Sequence, residues 1–190
     1  MRVKVLLLAV FAFVAMNVNG QDLKYGAKAG LNISNFGGDD ANSKSKVGFH
    51  IGGFMQYGVN DALFLQPELL LSFEGAKDKS GDNLSTNITF LNIPVMVGYK
   101  IAAVQGLSVE VGPQLGFLLA AKYDGDDAKD LFKSMNLSLN IGGAYDINEK
   151  ISVGLRYCMG LTKLVDVKDL NGDYPKAYQN NFQISVGYKF

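Results

Sequence analysis

The chain has 190 residues, with 18 Lys and Arg against 18 Asp and Glu, one histidine, one cysteine and no tryptophan. That length suits a single domain, and the balanced charge argues against a basic patch of the kind that binds nucleic acid. The lone Cys158 cannot close an intramolecular disulfide, and it reads as a small inward-facing residue rather than a reactive thiol.

Met1-Arg2-Val3-Lys4 is a short basic start, and Val5 to Met16 is an apolar stretch too short to cross a bilayer as a helix. Followed by modest residues up to Gly20, it reads as a secretory signal peptide over 1-20, cut before Gln21, with one domain over 21-190. No later segment is long and apolar enough for a membrane helix, and no linker or low-complexity tract divides the chain.

From Lys24 onward, period-two alternation takes over in eight runs. The first sets Tyr25, Ala27, Ala29, Leu31 and Ile33 against Lys28 and Asn32; the second sets Phe49, Ile51 and Met55 against His50 and Gln56. The third opposes Leu65, Leu69 and Leu71 to Gln66 and Glu68, and the fourth opposes Leu91, Ile93 and Val95 to Asn92. In the fifth, Val109, Val111 and Leu115 face away from Glu110 and Gln114. The sixth and seventh separate Leu137, Leu139 and Ile141 from Asn140, and Leu155, Tyr157 and Met159 from Arg156. The eighth, Phe182, Ile184, Val186, Tyr188 and Phe190, carries the pattern to the last residue.

Such alternation gives each strand one apolar and one polar face. Short turns at Asn60-Asp61, Ala102 to Gly106 and Asp146 to Lys150 alternate with long polar connections at Asn35 to Lys46, Gly75 to Thr86, Ala121 to Lys133 and Lys163 to Gln179. Both features predict an all-β fold: an eight-stranded antiparallel up-and-down transmembrane β-barrel, short turns in the periplasm, apolar face to lipid. The competing architecture is a secreted soluble barrel with its apolar face inside.

Tyr25, Tyr57, Tyr99, Tyr145 and Tyr188 fall on the apolar face at the short-turn end of their strands, and Phe49, Phe73, Phe117 and Phe182 near the long-loop end. They sketch two aromatic girdles at the membrane interfaces. Phe64, Phe90 and Phe132 break the pattern and are expected at strand ends or bulges. Lys28, Glu68, Glu110 and Arg156 point inward from the first, third, fifth and seventh strands. An eight-stranded barrel leaves room only for side chains. Single charges there are costly and paired ones tolerable, so these four are expected to form a network that plugs the lumen.

Gly26-Ala-Lys-Ala-Gly-Leu-Asn-Ile-Ser34, Gly48-Phe-His-Ile-Gly-Gly-Phe54, Leu65-Gln-Pro-Glu-Leu-Leu70, Leu91-Asn-Ile-Pro-Val95, Gly106-Leu-Ser-Val-Glu-Val-Gly-Pro-Gln114, Gly154-Leu-Arg-Tyr157 and Val186-Gly-Tyr-Lys-Phe190 carry a family resemblance. The chain resembles the outer-membrane β-barrel domain family abundant in Bacteroidota, often labelled PorT-like. The resemblance implies an eight-stranded barrel in the bacterial outer membrane, inserted by the outer-membrane assembly machinery, with Phe190 similar to the terminal signal that machinery reads. One branch of the family serves a protein-secretion system.

Other chemistry is thinly supported. His50 lies inward near Ser72 and Glu74, but no motif makes these a catalytic triad, and no enzyme is expected. The acidic tips Gly37 to Asp40, Asp124 to Asp127 and Asp169 to Asp173 read as solvated loops; no metal site and no cofactor are expected. The expected role is structural or interaction-based at the cell envelope. Expected partners are outer-membrane lipid, lipopolysaccharide, the assembly machinery and an envelope protein, with no nucleic acid and a monomeric state. Alternatives are a secretion-system component, a narrow solute channel or a lipid-modifying enzyme.

Overall fold

The computed structural model describes residues 23–37, 43–78, 85–165 and 177–190. The expected signal peptide and the acidic tips at Asp39-Asp40 and Asp169 to Asp173 lie outside these residues. Eight long strands build the molecule: β1 (Leu23–Gly37), β2 (Ser43–Gly58), β3 (Leu63–Asp78), β4 (Ser85–Lys100), β5 (Leu107–Tyr123), β7 (Met135–Asp146), β8 (Ile151–Lys163) and β9 (Tyr178–Lys189). A two-residue strand, β6 (Asp126–Asp127), folds back on β5. Consecutive long strands pair antiparallel all the way round, and β1 pairs with β9, so the sheet closes into an eight-stranded barrel.

The register decides which face meets what. Leu69 and Val186 are more than half exposed on the outer wall, while Glu68, Asn140 and Arg156 are buried inside. A slip of one residue would exchange the two sets, so the soluble barrel with an apolar interior is excluded. The strands also run further than the alternation suggests. The long connections expected from Asn35 to Lys46 and Gly75 to Thr86 shrink to 38–42 and 79–84. There the outer face carries the exposed Lys44 and Lys77 while the inner face stays buried at Ala76 and Thr86, so the apolar-out alternation stops while backbone pairing continues.

The other two long connections are not simply polar loops. Ala121 to Lys133 holds β6, a 3-10 turn over Lys129–Leu131 and a bridge from Phe132 to Val165. Thr89 pairs with Ala120 and Phe90 with Leu118, so Leu119 is an extra residue in β5. This bulge turns Ala121 inward. Ile88, Phe90, Leu118, Ala121 and Leu164 then form an apolar cluster, with Phe36 and Phe132 packed against it. Leu164 is held there by its N–H donating to the Ala177 carbonyl at 2.8 Å and its carbonyl accepting from Lys133 N–H at 2.9 Å.

Candidate functional site

Glu68 projects inward from β3 and takes three hydrogen bonds from two cations. Lys28 Nζ donates to Oε1 at 2.7 Å. Arg156 donates from Nη1 to Oε2 and from Nη2 to Oε1, both at 2.8 Å. Arg156 Nη2 also reaches Glu110 Oε2 at 3.0 Å. The four residues expected to meet are therefore in contact, two charges of each sign, and each comes from a different strand. Charge-assisted, forked pairing of this kind is the arrangement that makes buried ions tolerable. Gln66 Nε2 adds a further bond to Glu68 Oε1 at 2.7 Å, and Gln56 Nε2 donates to Gln66 Oε1 at 3.1 Å. Lys28 also sits 5.5 Å from the centroid of the Phe54 ring. The wall is shaped around Arg156: a Cβ on Gly142 would lie 2.9 Å from the Arg156 Cα.

A second buried network, towards the loop end, centres on Glu74. Ser72 Oγ donates to Glu74 Oε1 at 2.6 Å, Asn92 Nδ2 to Oε1 at 3.2 Å and Gln179 Nε2 to Oε2 at 2.9 Å. The sequence placed Glu74 inward but not as the hub of a network. The inward parity of Ser72 and Asn92 was the available signal; Gln179 was expected in a long connection, but the last strand already begins at Tyr178 and turns it inward. His50 and Ser72 are cross-strand neighbours, yet Asn32 stands between them: His50 Nδ1–H donates to Asn32 Oδ1 at 2.8 Å, and Asn32 Nδ2 donates to Ser72 Oγ at 2.9 Å. Ser72 thus donates to a carboxylate and not to the imidazole, and both side chains are fully buried. That geometry is not a nucleophile–base pair. Cys158 is buried and faces inward.

At the short-turn end, the charge network floors a cavity of about 490 Å³ whose lining includes Gln56, Phe64, Lys100, Ser152 and Lys189. Lys189 Nζ donates to both carboxylate oxygens of Asp146, at 2.7 and 2.8 Å, a pair not foreseen from sequence. Phe64 lies inward at the start of β3, Phe90 at the β4–β5 register shift and Phe132 in its loop bridge. Tyr25, Tyr99, Tyr145 and Tyr188 are exposed on the outer wall, and Tyr57 is half-buried. Phe190 is 79% exposed; its N–H donates to the Tyr25 carbonyl at 2.9 Å and its ring meets Tyr188 edge-on. Among the described residues no group of His, Cys, Asp and Glu is arranged to hold a metal.

The same barrel recurs in solved structures. Neisserial surface protein A is 15% identical and covers 90% of this chain and 100% of its own, with a TM-score of 0.58. Ail, the attachment invasion locus protein of Yersinia pestis, solved with the heparin analogue sucrose octasulfate, is 14% identical over 90% of this chain and 100% of its own, with a TM-score of 0.55. A major outer membrane protein from Thermus thermophilus is 14% identical, again over 90% and 100%, with a TM-score of 0.50. No curated protein matches the chain. At these identities the likeness establishes the fold. A closed eight-stranded wall with an apolar exterior and a hydrogen-bonded polar interior is the design of a lipid-spanning barrel. Matched over residues 5–190, the chain belongs to the outer membrane protein beta-barrel domain family and resides in the bacterial outer membrane.

Proposed function

We propose that this barrel is a non-enzymatic, monomeric envelope protein whose role is structural or interaction-based, with a lumen plugged by its own side chains. The observation that carries this reading is Glu68, held at once by Lys28 and Arg156, with Arg156 also bound to Glu110. The apolar cluster around Phe90 lies towards the loop end of the same interior. Charged side chains tied to one another are poor candidates for a solute path, because moving an ion past them means breaking bonds at low dielectric.

The motifs from Gly26 to Phe190 support placing the chain with the PorT-like barrels of Bacteroidota. On this reading a signal peptide over 1-20 directs export, the assembly machinery reads Phe190, and the exposed tyrosines form the periplasmic girdle. The mature barrel then meets lipopolysaccharide in the outer leaflet and an envelope protein at its rims. Planar-bilayer recording tests the plug. The wild-type barrel is expected to give no steady conductance, and the Glu68→Ala, Arg156→Ala double variant to conduct. Steady conductance by the wild type overturns the reading. Affinity capture from cross-linked envelopes tests the partner: recurrent recovery of secretion-system subunits would assign the barrel to that machinery instead of a free-standing role.

A further inference from the structure

Four lysines stand together on the barrel wall at the loop end: Lys44 and Lys46 on β2, Lys77 on β3 and Lys122 on β5. Lys44 faces Lys77 directly across the β2–β3 ladder. Lys46 Nζ reaches over the wall to donate to Asn87 Oδ1 on β4 at 2.6 Å, and Asn87 is the cross-strand neighbour of Lys122. The charge of Lys77 is close enough to act on Lys46. The patch is therefore continuous from β2 to β5. Like charges opposed in a ladder are destabilising. Among the described residues, Lys44, Lys77 and Lys122 form no ion pair with a carboxylate. Asp127 faces Lys122 across the β5–β6 ladder and offsets part of its charge without forming an ion pair, its Oδ1 accepting from the Lys129 backbone N–H at 3.0 Å. With no carboxylate bonded to Lys44 or Lys77 among the described residues, the patch has the charge to hold an anion.

The height of the patch says which anion. It begins just beyond the stacked rings of Phe49 and Phe73, whose centroids are 4.4 Å apart. Below those rings, Ile51 and Leu69 are exposed on the lipid-facing wall. A negative group at that level, next to hydrocarbon in the outer leaflet, is a lipid phosphate. Beneath the patch, on β1 to β4, an apolar trough of about 580 Å³ runs between Met55, Leu71 and Ile93, with Gly53 in its floor. A Cβ on Gly53 would meet nothing nearer than the Gly26 carbonyl at 3.5 Å, so packing does not require glycine there. Its effect is to leave room for a chain. From Lys46 to Gly53 is about 23 Å of strand. With a tilt of about 40° that is roughly 18 Å of depth, close to one leaflet of the hydrocarbon core.

We infer that this face binds one lipopolysaccharide molecule, the phosphates of its lipid A on Lys44, Lys46, Lys77 and Lys122 and one acyl chain in the trough over Gly53. The inference rests on the lipopolysaccharide contact proposed above and gives it a place on the wall. Delipidated full-length barrel in mild detergent is titrated with lipopolysaccharide, with the same material enzymatically dephosphorylated, and with phosphatidylglycerol, and bound lipid is read by native mass spectrometry. The wild type is expected to retain one lipopolysaccharide and to bind the dephosphorylated form about six-hundredfold more weakly, since each of the four cations near an anionic surface contributes about fivefold. The Lys44→Glu, Lys77→Glu, Lys122→Glu variant is expected to lose at least as much. Gly53→Leu is expected to weaken retention while leaving the preference for phosphate intact. Equal binding of the dephosphorylated lipid, or unchanged binding by the triple variant, overturns the site. Binding of phosphatidylglycerol as tight as that of lipopolysaccharide overturns its assignment to lipid A. The dephosphorylation arm uses wild-type protein, so the result stands even where a variant misfolds. Heat-modifiable migration reports the folded barrel, and sucrose-gradient fractionation reports its membrane. A folded barrel in the outer membrane that ignores the phosphates refutes this site alone.

Discussion

Arg156 grips Glu68 through two parallel hydrogen bonds of 2.8 Å, although 88 residues separate them in the chain. The fork closes across the lumen from β8 to β3, strands that are not neighbours in the sheet. It works as a crossbeam between opposite walls, and Lys28 and Glu110 extend it to two more strands.

Removing one end of the crossbeam leaves the other charge buried and unmatched. Glu68→Ala is expected to destabilise the barrel by about 3–5 kcal/mol, because Lys28 and Arg156 both lose their main counter-ion. Urea unfolding of the barrel in detergent or lipid, followed by heat-modifiable migration, checks it. A midpoint equal to the wild type's would show that the network carries little stability.

Gly142 faces Arg156 across the β7–β8 ladder. A methyl group there would be forced against the Leu155 carbonyl oxygen and the Arg156 backbone. Gly142→Ala is expected to cost about 1–3 kcal/mol through overpacking. Gly53→Ala, where the same atom comes no nearer than 3.5 Å to the Gly26 carbonyl oxygen, serves as the matched control and is expected to stay within about 0.5 kcal/mol. The same unfolding assay compares the two.

Phe90 is buried among Ile88, Leu118 and Leu164 at the loop end. Phe90→Ala is expected to cost about 3–5 kcal/mol by opening a cavity. Its second effect is local: the segment around Leu164 loses its seat. Protease added to intact cells is then expected to cut near Leu164 in the variant faster than in the wild type. Identical cleavage rates would show that the cluster does not anchor that segment.

Phe190 has little packing to lose, since most of its surface is exposed. Phe190→Ala is expected to leave the unfolding midpoint of purified barrel within about 0.5 kcal/mol of wild type. In cells the same change is expected to lower the amount of folded barrel in the outer membrane, on the proposal above that the assembly machinery reads this side chain. Quantitative blotting of fractionated envelopes reads that difference. Equal wild-type and variant levels would remove Phe190 from the assembly step.

The lumen charges were legible because strand parity is strict. Lys28, Glu68, Glu110 and Arg156 each share a face with Asn, Gln and Ser, so their inward direction follows from counting in twos. That Arg156 would choose Glu68 as its forked partner was not legible, since the choice depends on how far each strand is staggered around the barrel. The Lys189–Asp146 pair was missed for the same reason: Asp146 stands at the end of β7, where a turn was expected. The apolar cluster escaped notice because the bulge at Leu119 changes parity, and pattern counting assumes an unbroken ladder.

Alternation along each run and the spacing of the turns were sufficient to determine a closed barrel with hydrocarbon outside and polar groups within, because a strand has only two faces and the lipid claims one. What closure alone decided is who meets whom across the interior and over the rim: the four-way charge contact, the carboxylate hub at Glu74, and the lysines gathered from three strands into one patch. Those depend on stagger, bulges and curvature, which are properties of the whole ring and are written in no single strand.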